Sequence, residues 1–264
     1  MKFSIITISY NSEKTIERTI KSILAQTYSE YEYIIVDGAS KDNTINIVKQ
    51  YEPLFEGKMR WISEPDKGIY NAMNKGVLMA KGNIVGIVNS DDWLDPYSLQ
   101  NVKQCVETNN VDPQDAFIVT GQMLFHYNNG TFVEMKTDRQ SYERLSRNYR
   151  MGLNHPATFV SSKVYDSIGL FDENFKLYAD ADLMVRCYQA KVPVFFVEKV
   201  LSNMADGGAS NVRSEASNRD NKYMLSKHTR SKLEYCWMSM KWSSLRLIKR
   251  LPYSWLRVFR KLKN

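Results

Sequence analysis

The chain is poor in cysteine. Its 264 residues hold three, Cys105, Cys187 and Cys236, with no CxxC pair and no nearby His. That excludes a disulfide framework and a thiolate zinc site, and it points to a reducing compartment. Long apolar runs are absent too: no stretch approaches the ~20 residues of a membrane span. The opening Met1-Lys2-Phe3-Ser4-Ile5-Ile6 has one Lys and too short an apolar run for a signal peptide, so a cytoplasmic protein is expected. There is no GxGxxG after the first predicted strand and no GxxxxGK[ST] anywhere, which leaves a dinucleotide Rossmann site and a P-loop poorly supported. Asn129-Gly130-Thr131 is formally a glycosylation sequon, read here as a chance match.

What is there is ordinary in bulk and uneven in distribution. An apolar share of 43% with 25% charged residues is that of a globular protein. The length suits one large α/β domain or two small ones. The net charge of +7 hides an asymmetry. Residues 227–264 hold 11 Lys or Arg against one acid, Glu234, for a local +10, and the remainder sums to −3. A mildly acidic globule with a basic tail argues against a nucleic-acid binder, whose basic face would lie on the folded domain.

Residues 3–8, Phe-Ser-Ile-Ile-Thr-Ile, predict a central strand broken by Ser9-Tyr10-Asn11-Ser12. Ile16, Ile20, Ile23 and Leu24 then make one apolar helix face. Tyr33–Val36 is a second strand, ending in Asp37-Gly38-Ala39-Ser40, and Asp42 can cap the helix of Ile45 and Val48. Met59–Ile62 is a third strand, followed by a loop through Asp66-Lys67-Gly68. Ile69, Ala72, Met73, Gly76, Val77 and Ala80 mark the next helix, stopped by Gly82, and Ile84–Val88 is a fourth strand. Strands alternating with helices imply a parallel sheet with right-handed crossovers. Each polar turn follows a strand, so Tyr10, Asp37, Asp66 and Asp91-Asp92 should gather along one sheet edge.

The fourth strand runs straight into Asn89-Ser90-Asp91-Asp92-Trp93-Leu94-Asp95. Carboxylates at the end of a buried parallel strand sit where open α/β sheets bind ligands. Mg²⁺ typically takes one or two carboxylates plus substrate phosphates. Taken alone, the same residues make an acidic turn that caps the next helix. Asp95, three residues on, reads as the cap of the helix carrying Leu99 and Val102.

The second half predicts a helix from about 96 to 107, a hairpin of 117–125 and 131–135 around Asn128-Asn129-Gly130, a short helix 162–168 closed by Gly169, a helix 179–190 and a strand 193–197. A flexible loop spans 206–211, and 214–233 reads as one strongly polar helix. From Tyr235 the tail interleaves Trp237, Met238, Met240, Trp242 and later apolar residues with basic ones, and Pro252 would kink any helix there. Such a composition describes an amphipathic helix on an anionic membrane surface. The alternatives are a helix packed on the main domain or on a second subunit, as in a homodimer, and a disordered tail.

Four stretches in series resemble the donor half of family 2 glycosyltransferases: Phe3 to Asn11, Ile35 to Thr44, Asp66 to Gly76, and Asn89 to Asp92. The resemblance runs from residue 3 to about 203 and is nearest to bacterial enzymes of surface-polysaccharide and lipid-linked glycan synthesis. It implies an α/β chain of the GT-A fold, a Rossmann-like nucleotide-binding mixed sheet flanked by helices, here with a basic amphipathic helical tail. The expected division is a glycosyltransferase domain over 1–226, with a donor half to about 110 and an acceptor half from about 111, and a tail over 227–264. The resemblance implies a nucleotide-sugar donor, most often a UDP-sugar, a glycan or lipid-linked acceptor, and Mg²⁺ or Mn²⁺. Asp92 matches the last acid of the DxD motif, a metal ligand, and Asp91 the middle position, near ribose or sugar. Ser90 stands where many members carry the first Asp. Tyr10 matches a ring that stacks on the base, and Asp37 and Asp66 match nucleotide contacts; Gly38 stands where some members have a second Asp. Asp180 in Tyr178-Ala179-Asp180-Ala181-Asp182 matches the general base of inverting transfer, with Ala179 replacing a common Glu. His155 matches a position near acceptor or diphosphate, and Asp182 is a second candidate there. Each carries a plainer alternative: a core aromatic for Tyr10, helix caps for Asp37, Asp180 and Asp182, a hydrogen-bonded structural histidine for His155.

The resulting expectation is an inverting, metal-dependent glycosyltransferase, peripheral on the inner face of the cell membrane. Two other classes fit the sequence less well. A nucleotide-sugar-binding scaffold that has lost transfer would lack Asp92 or Asp180, and both are present. A nucleotidyltransferase would need a Gly-rich basic loop after the first strand, and Ser9-Tyr10-Asn11-Ser12 is neither.

Overall fold

Strand β1 (Phe3–Ser9) is buried along its whole length, and the sheet is laid out from it. In the computed structural model, which describes residues 1–207 and 215–248, β1 pairs in parallel with β2 (Tyr31–Asp37) on one side and β4 (Ile84–Ile87) on the other. β3 (Met59–Ser63) adds in parallel outside β2. Ser9 faces Asp37 and Asp37 faces Ser63, so the three strands end at one level. The predicted parallel half is therefore observed, in the order β3-β2-β1-β4.

Beyond β4 the sheet is mixed. β8 (Thr158–Ser161) pairs with β4, then β6 (Ile118–His126), β9 (Val194–Ala205) and the two-residue β5 (Trp93–Leu94) follow. Every pairing there is antiparallel except that of β6 with β9, which is parallel. β7 (Phe132–Met135) closes the expected hairpin with β6, and Gly130 supplies the positive φ of 82° at its turn. Gly86 is the register partner of Phe159, and a Cβ there would lie 2.7 Å from that ring, so the bare backbone lets β8 close on β4. Sequence periodicity missed β5 and β8. It also ended the last strand at 197, whereas β9 continues through Glu198 and Lys199, past a register shift, to Ala205.

The helices sit where alternation places them. α1 (Ile16–Leu24) and α4 (Ser98–Thr108) bury Ile16, Ile20 and Ile23, and Leu99, Val102 and Val106, in one core with Phe3, Tyr33, Phe117 and Phe159. Each such side chain contributes roughly 1.5–3 kcal/mol. α2 (Thr44–Tyr51) follows β2. Asp42 serves its entry through an Asx turn, accepting from the Thr44 N–H at 3.0 Å, while Asn43 holds the N-cap position. Asp95 behaves alike: it accepts from the Tyr97 N–H at 3.0 Å ahead of α4 rather than capping it. α3 (Ile69–Met79) departs from the predicted face, for Ile69 is exposed and Tyr70 is buried in its place. α5 (Arg139–Ser146) was not expected, though Asp138 caps it by accepting from the Ser141 N–H at 2.7 Å. α6 (Ser162–Ile168) ends at Gly169 as predicted, and α7 (Ala179–Gln189) follows.

A second compact unit begins at Glu215, ahead of the expected boundary at 227. It holds two helices, α8 (Glu215–His228) and α9 (Lys232–Ile248), where one helix over 214–233 was predicted. The break is local chemistry. The Ser231 hydroxyl accepts from the Glu234 N–H, and the Glu234 carboxylate accepts from the Arg230 N–H at 2.8 Å, which starts a new helix in the manner of a capping box. Most of the expected 206–211 loop, and the tail beyond 248 with Pro252, lie outside the described residues.

Candidate active site

Three strand ends and one glycine build a slot. Tyr10 leaves β1 with its ring 65% exposed, so it is no core aromatic. Gly38 leaves β2 between that ring and the Asp66 carboxylate: a Cβ on Gly38 would meet Asp66 Oδ2 at 3.1 Å and Tyr10 Cδ2 at 3.3 Å. The glycine that replaces a second acid thus keeps open the space between a flat apolar ring and a carboxylate. Asp66 is held from behind by Lys75 of α3, whose ammonium lies 2.7 Å from Oδ1.

Asp37 is wholly buried at the end of β2. It accepts from the Ser9 hydroxyl at 3.0 Å, the Ser63 hydroxyl at 2.7 Å, and both the amide (2.9 Å) and the hydroxyl (2.5 Å) of Ser40. An ionised carboxylate offers about four acceptor sites, and all are used. Asp37 therefore ties three strand ends together. A base N–H that reached it would have to displace a serine hydroxyl, which the rotation of those hydroxyls permits.

The turn after β4 is fixed by its neighbours. Ser12 and Ser90 hydroxyls are 2.8 Å apart, Thr19 donates to the Asp92 carbonyl at 2.6 Å, and Arg18 donates to the Asp91 carbonyl at 2.7 Å while its guanidinium covers the Trp93 ring at 3.8 Å. The Asp91 carboxylate is half-buried with no protein partner among the described residues. Asp92 is 1% exposed. Burial first, and the Asp91 charge second, push its carboxyl up to about 7, against the partial relief of the Ala205 N–H, the Asn89 amide and Arg18. The Asn89 Nδ2 donates to Asp92 Oδ2 at 3.2 Å, and its own Oδ1 is buried without a partner. The Ala205 N–H reaches Asp92 Oδ1 only because β9 runs eight residues past its predicted end. A desolvated carboxylate beside an orphaned amide oxygen is an oxygen donor set short of positive charge, which suits a hard divalent cation completed by diphosphate oxygens and water. Among the described residues no group of three or more His, Cys, Asp or Glu stands ready for a metal, so the protein would supply a small part of the shell.

Asp180 sits in the first turn of α7, half-buried. Its Oδ1 accepts from the Ala181 N–H at 2.8 Å and faces the Tyr70 hydroxyl at 3.4 Å, while Oδ2 takes no hydrogen bond among the described residues. His155 opens a short 3-10 turn ahead of β8. The residue is half-buried, but Nε2 is shut from solvent without a partner, and burial lowers its pKa against the opposing charge of Asp180. Asp182 is not part of the open site. It is wholly buried and accepts from Arg186 Nε at 2.8 Å, and the same guanidinium donates to the carbonyls of Ile168 (2.6 Å) and Leu170 (2.7 Å). That network packs α7 against the end of α6 and holds Asp182 away from the open site, contrary to the acceptor or diphosphate role expected of it.

The residues that sequence reasoning missed lie mainly on α3. Asn74 exchanges hydrogen bonds with the Phe171 backbone in both directions, at 2.9 and 3.0 Å, and Asn71 and Asn74 both donate to Glu173. Tyr70 stacks on Phe171 with ring centroids 5.9 Å apart. The signal was the polar spacing Asn71, Asn74, Lys75 opposite the apolar positions.

Comparison with known proteins bears on this arrangement. A family model described as glycosyl transferase family 2 matches residues 4–168. An uncharacterized glycosyltransferase of Mycobacterium tuberculosis is 31% identical over 197 residues, 72% of this chain and 70% of the relative. Another, from Nostoc, is 34% identical over 111 residues, and the chain spans 34% of its length. Among solved structures, S. aureus TarS 1-349 in complex with UDP-GlcNAc superposes with a TM-score of 0.68 at 20% identity, over 90% of this chain and 69% of that one. The mannosyltransferase PcManGT from Pyrobaculum calidifontis, in complex with GDP-Man and Mn²⁺, gives 0.62 at 16% identity, over 87% of this chain and 64% of that one. These likenesses show the GT-A fold.

Proposed function

The chain belongs to glycosyl transferase family 2, and from that premise we propose that it transfers a hexosyl or N-acetylhexosaminyl group, with inversion, from a UDP-sugar to a hydroxyl of a glycan or lipid-linked acceptor. The observation that carries the reading is the contrast between two carboxylates. Asp92 is buried with its charge only partly offset by Arg18, and Asp180 is half-open with one oxygen free. The first is suited to a cation and the second to a proton.

Each side chain then has a task. The Tyr10 ring gives the base a flat apolar surface. Asp66 lines the same slot, Asp37 fixes the turns around it, and Asp91 meets the ribose or sugar. Asp92, with Asn89 beside it, would hold Mg²⁺ or Mn²⁺. When bound, such a cation supplies Lewis-acid stabilisation of the charge on the departing diphosphate. Asp180 Oδ2 takes the proton of the acceptor hydroxyl as that oxygen bonds to the anomeric carbon from the face opposite the diphosphate. The anomeric carbon–oxygen bond breaks, and UDP leaves with its electron pair. The donors bound to TarS and PcManGT make UDP-GlcNAc and GDP-Man the first to try.

Titration calorimetry with a panel of nucleotide sugars should show binding of one donor that depends on Mg²⁺ or Mn²⁺. A panel with no metal-dependent binding would sink the donor claim. Asp180→Asn should abolish transfer and leave UDP affinity nearly unchanged; loss of both together would make Asp180 structural. The reaction is further proposed to run at an anionic membrane surface reached through the tail, on the strength of the exposed Leu233, Trp237 and Met240 of α9.

A further inference from the structure

We infer that Tyr70 is a positioning residue, which orients the Asp180 carboxylate for proton transfer and couples it to the donor loop. The inference rests on Asp180 being the base. A general base needs one carboxylate oxygen aimed at the acceptor, and a free carboxylate rotates about its last bond. Here one oxygen is pinned: the Ala181 N–H at 2.8 Å and the Tyr70 hydroxyl at 3.4 Å both converge on Oδ1, which leaves Oδ2 open. The phenol is placed for this. Tyr70 is 5% exposed and stacks on Phe171. A phenol has a single proton to donate, and here it is directed at Asp180 Oδ1.

The same residue links two halves of the site. Tyr70 lies in the first turn of α3, directly after Asp66-Lys67-Gly68, and Gly68 holds a φ of 132° at the N-cap. α3 is clamped to the segment ahead of α7 through Asn74 with the Phe171 backbone and through Asn71 and Asn74 with Glu173. The helix that begins at the donor loop therefore also sets the height of the base. A base displaced by about 1 Å can lose on the order of 10²-fold in rate, without any change in the contacts that bind donor.

The test uses the full chain with UDP-GlcNAc and Mn²⁺, following UDP release, UDP affinity and melting temperature in wild type, Tyr70→Phe and Tyr70→Leu. In Tyr70→Phe, kcat should fall about 10- to 100-fold, with KM and UDP affinity within about twofold and an unchanged melting curve. Tyr70→Leu should lose the same kcat and, in addition, melt earlier. The rate then follows the hydroxyl and the stability follows the ring. A kcat loss confined to Tyr70→Leu would assign the effect to packing and overturn the inference, as would a Tyr70→Phe enzyme with wild-type kcat. If wild type releases UDP from no donor of the panel, the transferase reading fails and this inference fails with it.

Discussion

Asp92 is a carboxylate that its own burial makes costly for stability. Its carboxyl is raised to about 7, chiefly by burial. An acid whose folded pKa lies above its unfolded value adds stability that is fully present below the unfolded pKa, near 4, and lost as pH rises through 7. Above pH 7 the ligand-free protein carries an ionised, desolvated carboxylate. Asp92→Asn should therefore melt later than wild type at pH 8 in EDTA, and the gain should vanish near pH 4. An equal gain at both pH values would mean that charge is not the cause. Tyr10 and Asp92 could be placed at one sheet edge from the sequence because each stands in a polar turn after a strand, and Asp180 was singled out by the family resemblance. Asn89 and Tyr70 were not. One looks like filler between a strand and an acidic pair, and the other is an aromatic next to a periodic apolar position.

At the level of elements, the parallel strands and their helices were readable because local periodicity and turn chemistry agree there. β5, β8 and the far half of β9 were not, because short strands receive their identity from partners distant in sequence: Trp93 from Asn203, and Thr158 from Thr120. α7 illustrates the same divide. Its two acids, at 180 and 182, look equivalent in sequence, yet a two-residue step turns one towards Tyr70 and the other into the Arg186 network. Asp182 is wholly buried and Arg186 is largely so. Removing one partner leaves the other charge uncompensated, a loss of about 3–5 kcal/mol for buried pairs. Urea denaturation of Asp182→Ala should show a loss on that scale, while kcat per folded molecule stays near wild type. A stable variant with lost turnover would return Asp182 to the catalytic site.

At the scale of the whole molecule, α9 is a helix, and it contains the chemistry of both the membrane and the packing readings of the tail. Met238 and Trp242 are buried, whereas Leu233, Trp237 and Met240, at helical spacing, form an exposed stripe. Lys241 lies over the Trp237 ring at 4.7 Å, and Lys232 stands at the start of the helix. No helix among the described residues is long and apolar enough to cross a membrane. The apolar stripe, in a segment whose sequence carries a net +10 over residues 227–264, suits an anionic bilayer surface: each basic residue near the headgroups adds about 1 kcal/mol, and the apolar side chains would enter the boundary. Full-length protein should float with vesicles containing phosphatidylglycerol and much less with phosphatidylcholine alone, with a blue-shifted tryptophan emission. The variant L233Q/W237Q/M240Q should lose at least about tenfold in partitioning, and 0.5 M salt should weaken wild type by shortening the screening length. If the triple variant floats as well as wild type while light scattering shows a dimer that the substitutions dissociate, the stripe is a subunit face. The charge would then serve solubility, not address.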